Sequence, residues 1–153
     1  MLDRLRDRLE LRTGGVALAI DGPNVFRTEF DVDLDDVRAV GESLGRLASA
    51  RLYVNEHATP GLIQAGEARG FEVVVTSGDV DVKLAVDLTA LIAESRVDTI
   101  VIVSRDTDFK PVLEYAGRVG VETVAVAPGE YGRSDALRNA ADQSFTLGHE
   151  ADG

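Results

Sequence analysis

The 153 residues contain no cysteine, which excludes disulfides, thiolate metal sites and cysteine nucleophiles together. No apolar run is long enough to span a bilayer, and 44% hydrophobic residues fit a soluble globular chain. The opening stretch MLDRLRDRLELR alternates leucine with charge and lacks the apolar block of a signal peptide. A cytoplasmic protein with no membrane partner is expected. Lysine is nearly missing as well: Lys83 and Lys110 stand against fourteen arginines, and aspartate outnumbers glutamate. The net charge of −11 disfavours non-specific attraction to nucleic acid at ordinary ionic strength. Few lysines and many carboxylates suit a salt-rich, halophilic cytosol, where the Debye length is only a few ångströms. In that setting the global charge says little about the substrate.

What is present is an alternation of short apolar blocks with helical patterns. GVALAI (15–20), ARLYVN (50–55), FEVVV (71–75), TIVIVS (99–104) and VETVAVA (121–127) are predicted strands. Helices are predicted where Leu34, Val37, Leu44 and Leu47 recur, over 59–70 and 79–95, over about 108–118, and over 134–142. This order implies βαβ units and an α/β fold around a parallel sheet of about five strands. Both faces of that sheet are covered, because its strands are almost continuously apolar. Residues 1–13 form an expected amphipathic helix through Leu2, Leu5 and Leu9, packing on the body or joining a homo-oligomer. Residues 14–148 form one domain.

In an open parallel sheet, chemistry sits at the carboxyl ends of the strands, beside the point where strand order reverses. Asp21 follows the first strand in AIDGPN, and Asp106 and Asp108 follow the fourth in IVIVSRDTDF. If the two halves of the chain wind in opposite directions from the first strand, these three carboxylates meet at one crevice. Asp81 joins them through helical geometry: at 100° per residue it lies on the same face as Leu84, Leu88 and Ile92, at the N-terminal end of its helix. Asp87 falls about 120° away, four residues from Lys83 and able to pair with it. Any single one of these aspartates has a structural explanation as a turn or cap residue. Four that converge repel one another, and must raise a pKa or bind a cation. Oxygen-only ligands point to Mg²⁺ or Mn²⁺.

AIDGPNVF, GDVDVKLAVDL, VSRDTDFKPVL and LRNAADQSFTL, in that order and spacing, resemble the NYN family of PIN-like nucleases, in particular its LabA-like (DUF88) branch. The resemblance covers residues 16–147. It implies a PIN-like, Rossmannoid three-layer fold with strand order 3-2-1-4-5, and metal-dependent cleavage of RNA by clustered carboxylates. By position it matches Asp21, Asp81, Asp106 and Asp108 to the family's acidic residues, Asn24 to its motif asparagine and Ser104 to its motif serine. The LabA-like branch usually has glycine where Arg105 stands.

The expected function is therefore a Mg²⁺- or Mn²⁺-dependent ribonuclease acting on RNA, with single strands as the expected substrate. Asp21, Asp81, Asp106 and Asp108 are the expected metal ligands, and Asn24 orients a carboxylate or contacts the scissile phosphate. Ser104 and Asp87 stand behind the ligands. Arg27, Arg105 and Lys110, in or near the same turns, are candidate contacts to RNA phosphates. The alternative is a non-catalytic scaffold that keeps the metal site for binding RNA or protein. A phosphatase with an aspartate nucleophile would need an acid where Pro23 stands, and a receiver domain would need a lysine at the end of VAVAPG. His57 and His149 are isolated from the motifs and are expected at the surface.

Overall fold

The computed structural model describes residues 14–26, 32–129 and 134–148. The helix expected over 1–13, Arg27 and His149 lie outside the described residues. Six strands form one parallel sheet in the order β3-β2-β1-β4-β5-β6. They are β1 (Val16–Asp21), β2 (Leu47–Asn55), β3 (Glu72–Thr76), β4 (Thr99–Val103), β5 (Glu122–Ala127) and β6 (Gln143–Thr146). The helices are α1 (Gly22–Val25), α2 (Leu34–Leu44), α3 (Pro60–Ala68), α4 (Val80–Ala93), α5 (Lys110–Arg118) and α6 (Asp135–Ala140). A 3₁₀ turn at Thr107–Phe109 precedes α5.

The continuous apolar character of the inner strands follows from their position between two cores. Ala17, Ala19, Tyr53, Ile100 and Ile102 face one core, which α4 fills with Val80, Leu84, Leu88 and Ile92 and α5 with Val112, Leu113 and Ala116. Val16, Leu18, Ile20, Leu52, Val101 and Val103 face the other, closed by Val25, Leu34 and Val37. Successive residues of a strand point to opposite faces, so both sets must be apolar. The helices stop where the sequence indicates: Gly70 and Gly120, just beyond α3 and α5, hold φ of 84° and 87°, a region that disfavours a Cβ.

Three details depart from the sequence reading. Leu47 is not the last apolar position of α2; that helix ends at Leu44, and Leu47 opens β2 beside Val16. A short helix, α1, occupies the Gly-Pro-Asn turn after β1. The sheet has a sixth strand, β6, absent from the expected five. It is a four-residue edge strand with mostly exposed side chains, so no hydrophobic pattern announces it. Its place beside β5 is fixed by Asp142, whose carboxylate accepts from the backbone N–H and hydroxyl of Thr123 at 2.9 and 3.2 Å. Among the described residues, no helix is long and apolar enough to cross a membrane.

Candidate metal centre

From β1 the chain moves outward through β2 and β3 on one side and β4, β5 and β6 on the other. The reversal therefore falls between β1 and β4, and their carboxyl ends mark the crevice of this architecture. Asp21 closes β1 and keeps the alternation of Ala17 and Ala19, so it turns toward the α4 side. Ser104, the residue after β4, shares that parity with Ile100 and Ile102. The two side chains meet: Ser104 Oγ donates to Asp21 Oδ2 at 3.1 Å.

The same hydroxyl accepts from the backbone N–H of Asp106 at 3.0 Å. Asp106 in turn caps the 3₁₀ turn, accepting from the N–H of Asp108 at 2.9 Å. Asn24 ties the two turns together from the other side, its Oδ1 accepting from the Arg105 N–H at 2.9 Å. Gly22 lets the turn after β1 lie against the end of β2, because a Cβ there would collide with the Tyr53 carbonyl and crowd the Val54 side chain. A chain of hydrogen bonds thus runs from Asp21 through Ser104 and Asp106 to Asp108.

Asp81 enters from the first turn of α4, where its carboxylate accepts from the Val82 N–H at 2.9 Å. Asp81, Asp106 and Asp108 each offer a carboxylate oxygen, and the three oxygens lie within 4.8 Å of one another. A Mg²⁺-sized ion binds oxygen at about 2.1 Å, so its ligand atoms lie at most roughly 4.2 Å apart. Small side-chain rotations would bring the trio to that spacing, and an all-carboxylate donor set suits a hard divalent cation. The residues present fit such an ion.

Asp21 stands beneath this trio and is not one of its three members. It is only 4% exposed. Burial pushes its carboxyl up to about 6, with the negative charges of Asp106 and Asp81 adding to the rise. The Ser104 hydroxyl and the Asn24 backbone N–H oppose it. The most buried aspartate is therefore the one whose charge is least comfortable without a counter-cation.

The other expected residues are distributed unevenly. Lys110 is exposed at the start of α5, and Arg105 lies half-buried between Ser104 and Asp106. Asp87 is not brought to the acidic hollow. It accepts from Tyr53 Oη at 2.9 Å and from Lys83 Nζ at 3.1 Å, and Arg51 approaches it at 3.7 Å. Burial pushes the Tyr53 phenol well above its usual range, so it stays a neutral donor to that carboxylate. The nearby cations Lys83 and Arg51 are thus directed at Asp87. Asp79 and Asn55, which the sequence reading did not select, line the hollow together with Asp21, Pro23, Asn24, Asp81 and Asp106. A signal for Asn55 was available: it is the polar residue that ends β2 at the same edge of the sheet. Asp79 holds the capping position of α4 yet makes no capping bond.

Fold and site together define a parallel α/β domain with a carboxylate cluster at its switch point, compatible with a metal-dependent nuclease. The chain belongs to the NYN domain family, whose model matches residues 15–148. It is 42% identical over 135 residues to an uncharacterized protein of Methanocaldococcus jannaschii; the match takes in 88% of this chain and 56% of that one. The chain thus spans little more than half the length of this curated relative. Among solved structures, it is similar to a protein of unknown function from Vibrio parahaemolyticus, with a TM-score of 0.75 and 21% identity. That match covers 89% of this chain and 94% of the other, and it speaks for the fold alone.

Proposed function

We propose that this protein is a Mg²⁺- or Mn²⁺-dependent ribonuclease of the LabA-like branch, hydrolysing phosphodiester bonds in single-stranded RNA. The observation that carries this reading is the approach of Asp81, Asp106 and Asp108 within 4.8 Å, above a buried Asp21. These four residues would hold the metal, with Asp21 as its deepest carboxylate. When bound, a divalent ion lowers the pKa of water and neutralises charge on a phosphoryl group undergoing displacement.

The chain's own groups supply positioning. Ser104 holds the Asp21 carboxylate and the Asp106 backbone at once, which keeps two ligands from moving apart under their repulsion. Asn24 Oδ1 is engaged by Arg105, so its Nδ2 amino group is the part that would donate to a carboxylate or a phosphate oxygen. Arg105 and Lys110 would contact flanking phosphates, as would Arg27. Water acting as the direct nucleophile leaves 5′-phosphate and 3′-hydroxyl ends.

The test is incubation of purified protein with labelled single-stranded RNA and DNA in Mn²⁺, Mg²⁺ or EDTA. Metal-dependent RNA cleavage, lost in Asp81→Asn, is the expected result. Intact RNA under every condition, with Mn²⁺ still bound, would overturn the enzyme reading in favour of a scaffold.

A further inference from the structure

Immediately beside the acidic hollow lies a second cavity of about 360 Å³, across the carboxyl ends of β1 and β2. Its volume falls within the roughly 300–1,000 Å³ of small-ligand pockets. Pro23, Phe26, Ala58 and Leu62 give it apolar walls, while Asn55 and His57 stand at its polar rim. Pro23 and Asn55 line both cavities, so the two adjoin across a shared wall.

The geometry points to a nucleobase subsite: this groove receives the base of the nucleotide whose phosphate faces the carboxylate trio. The inference rests on the ribonuclease reading and deepens it. A base has a planar apolar face and a polar edge, and the groove offers both complements. Phe26 and the His57 ring supply aromatic surface for stacking. The Asn55 Oδ1 accepts from the His57 N–H at 2.9 Å, which holds the turn and leaves the Nδ2 amino group for a base edge. Among the described residues His57 is held by no close side-chain bond: its ring nitrogen lies 4.0 Å from Glu56, and the side chain is 84% exposed. It is free to swing over a ligand. A purely apolar ligand would gain nothing from four neighbouring carboxylates, whereas a nucleotide uses the groove and the metal-holding hollow together.

Calorimetry with AMP, UMP and ribose 5-phosphate at fixed Mg²⁺ tests the subsite without any bond being cleaved. Both nucleotides should bind more tightly than ribose 5-phosphate by about tenfold, the scale of one base–aromatic stack. His57→Ala and Ala58→Leu should each remove most of that preference while Mn²⁺ binding stays unchanged, and the exposed His57→Ala should leave the melting temperature unchanged as well. Phe26→Ala is the less suitable variant, since it strips a ring that packs on the core; Ala58 borders the same core, and Ala58→Leu adds volume to the groove while keeping the contacts already made. Equal binding of ribose 5-phosphate and the nucleotides, or a preference that survives both variants, would overturn the subsite. RNA cleavage is measured in parallel. Base preference without cleavage would refute the hydrolase reading and support the subsite, whereas cleavage without base preference would refute the subsite alone.

Discussion

Replacing Asp21 by asparagine should stabilise the metal-free protein at neutral pH. Burial is the main cause that raises this carboxyl from 3.8 to about 6, and two neighbouring aspartates add to it. A raised pKa means that the native state holds its proton more tightly than the unfolded chain does. Native stability therefore falls as pH rises from about 4 to above 6, because ionising Asp21 costs more in the folded protein. Two pH units at about 1.36 kcal/mol each put the loss near 3 kcal/mol, an upper figure for one buried group. Asparagine keeps an oxygen for the Ser104 hydroxyl and has no charge to desolvate, so that slope should vanish in Asp21→Asn. The assay is urea unfolding of both proteins in EDTA at pH 4.5 and pH 8. The variant should gain about 2–3 kcal/mol over the wild type at pH 8 and much less at pH 4.5. Adding Mn²⁺ should then stabilise the wild type far more than the variant. An identical pH slope in the two proteins, or a variant less stable at pH 8, would refute the assignment of Asp21 as a strained buried carboxylate.

Asp106 should separate capping from metal binding: Asp106→Asn keeps the cap on the Asp108 N–H and loses Mn²⁺ and cleavage, whereas Asp106→Ala also loses about 1 kcal/mol in denaturant melts. Asp81→Ala should weaken Mn²⁺ binding in calorimetry with little loss of stability. Asp87→Ala should bind Mn²⁺ as the wild type does but unfold about 1–3 kcal/mol more easily, because it strands the buried Tyr53 hydroxyl. The melting temperature should climb as KCl approaches molar levels, since screening relieves repulsion in a chain of net charge −11; a flat profile would return it to ordinary acidic proteins.

The fold was legible because its strands and helices carry opposite, strong signals. Uninterrupted runs such as TIVIVS admit only a strand covered on both sides, and Gly70 and Gly120 mark the helix ends where φ turns positive. What escaped was held by interactions that hydropathy does not encode. β6 is anchored through Asp142 and Thr123, and its own side chains are mostly exposed. Asp87 was legible as a partner of Lys83, but its bond to Tyr53 joins residues 34 positions apart and depends on how α4 crosses β2. Asn55 shows the limit of reading by charge: topology carries it to the same strand edge as Asp21, yet a lone asparagine in a sequence draws no attention.

The crowding of aspartates in IVIVSRDTDF can be divided into what folding requires and what it does not. One carboxylate suffices to cap the 3₁₀ turn, and Asp106 does that. Asp108 contributes its backbone N–H to that cap, a service any residue other than proline would perform, while its exposed carboxylate lies with Asp81 and Asp106. Among the described residues Asp81 accepts only from the adjacent N–H, and Asp21 is buried at the expense of a raised pKa. Against that repulsion the chain commits a buried serine and an asparagine that clasps the neighbouring turn. Their shared logic is to hold negative charge together at the one strand edge where an open parallel sheet leaves room for a ligand, which is why the cluster is best understood through the cation it would bind.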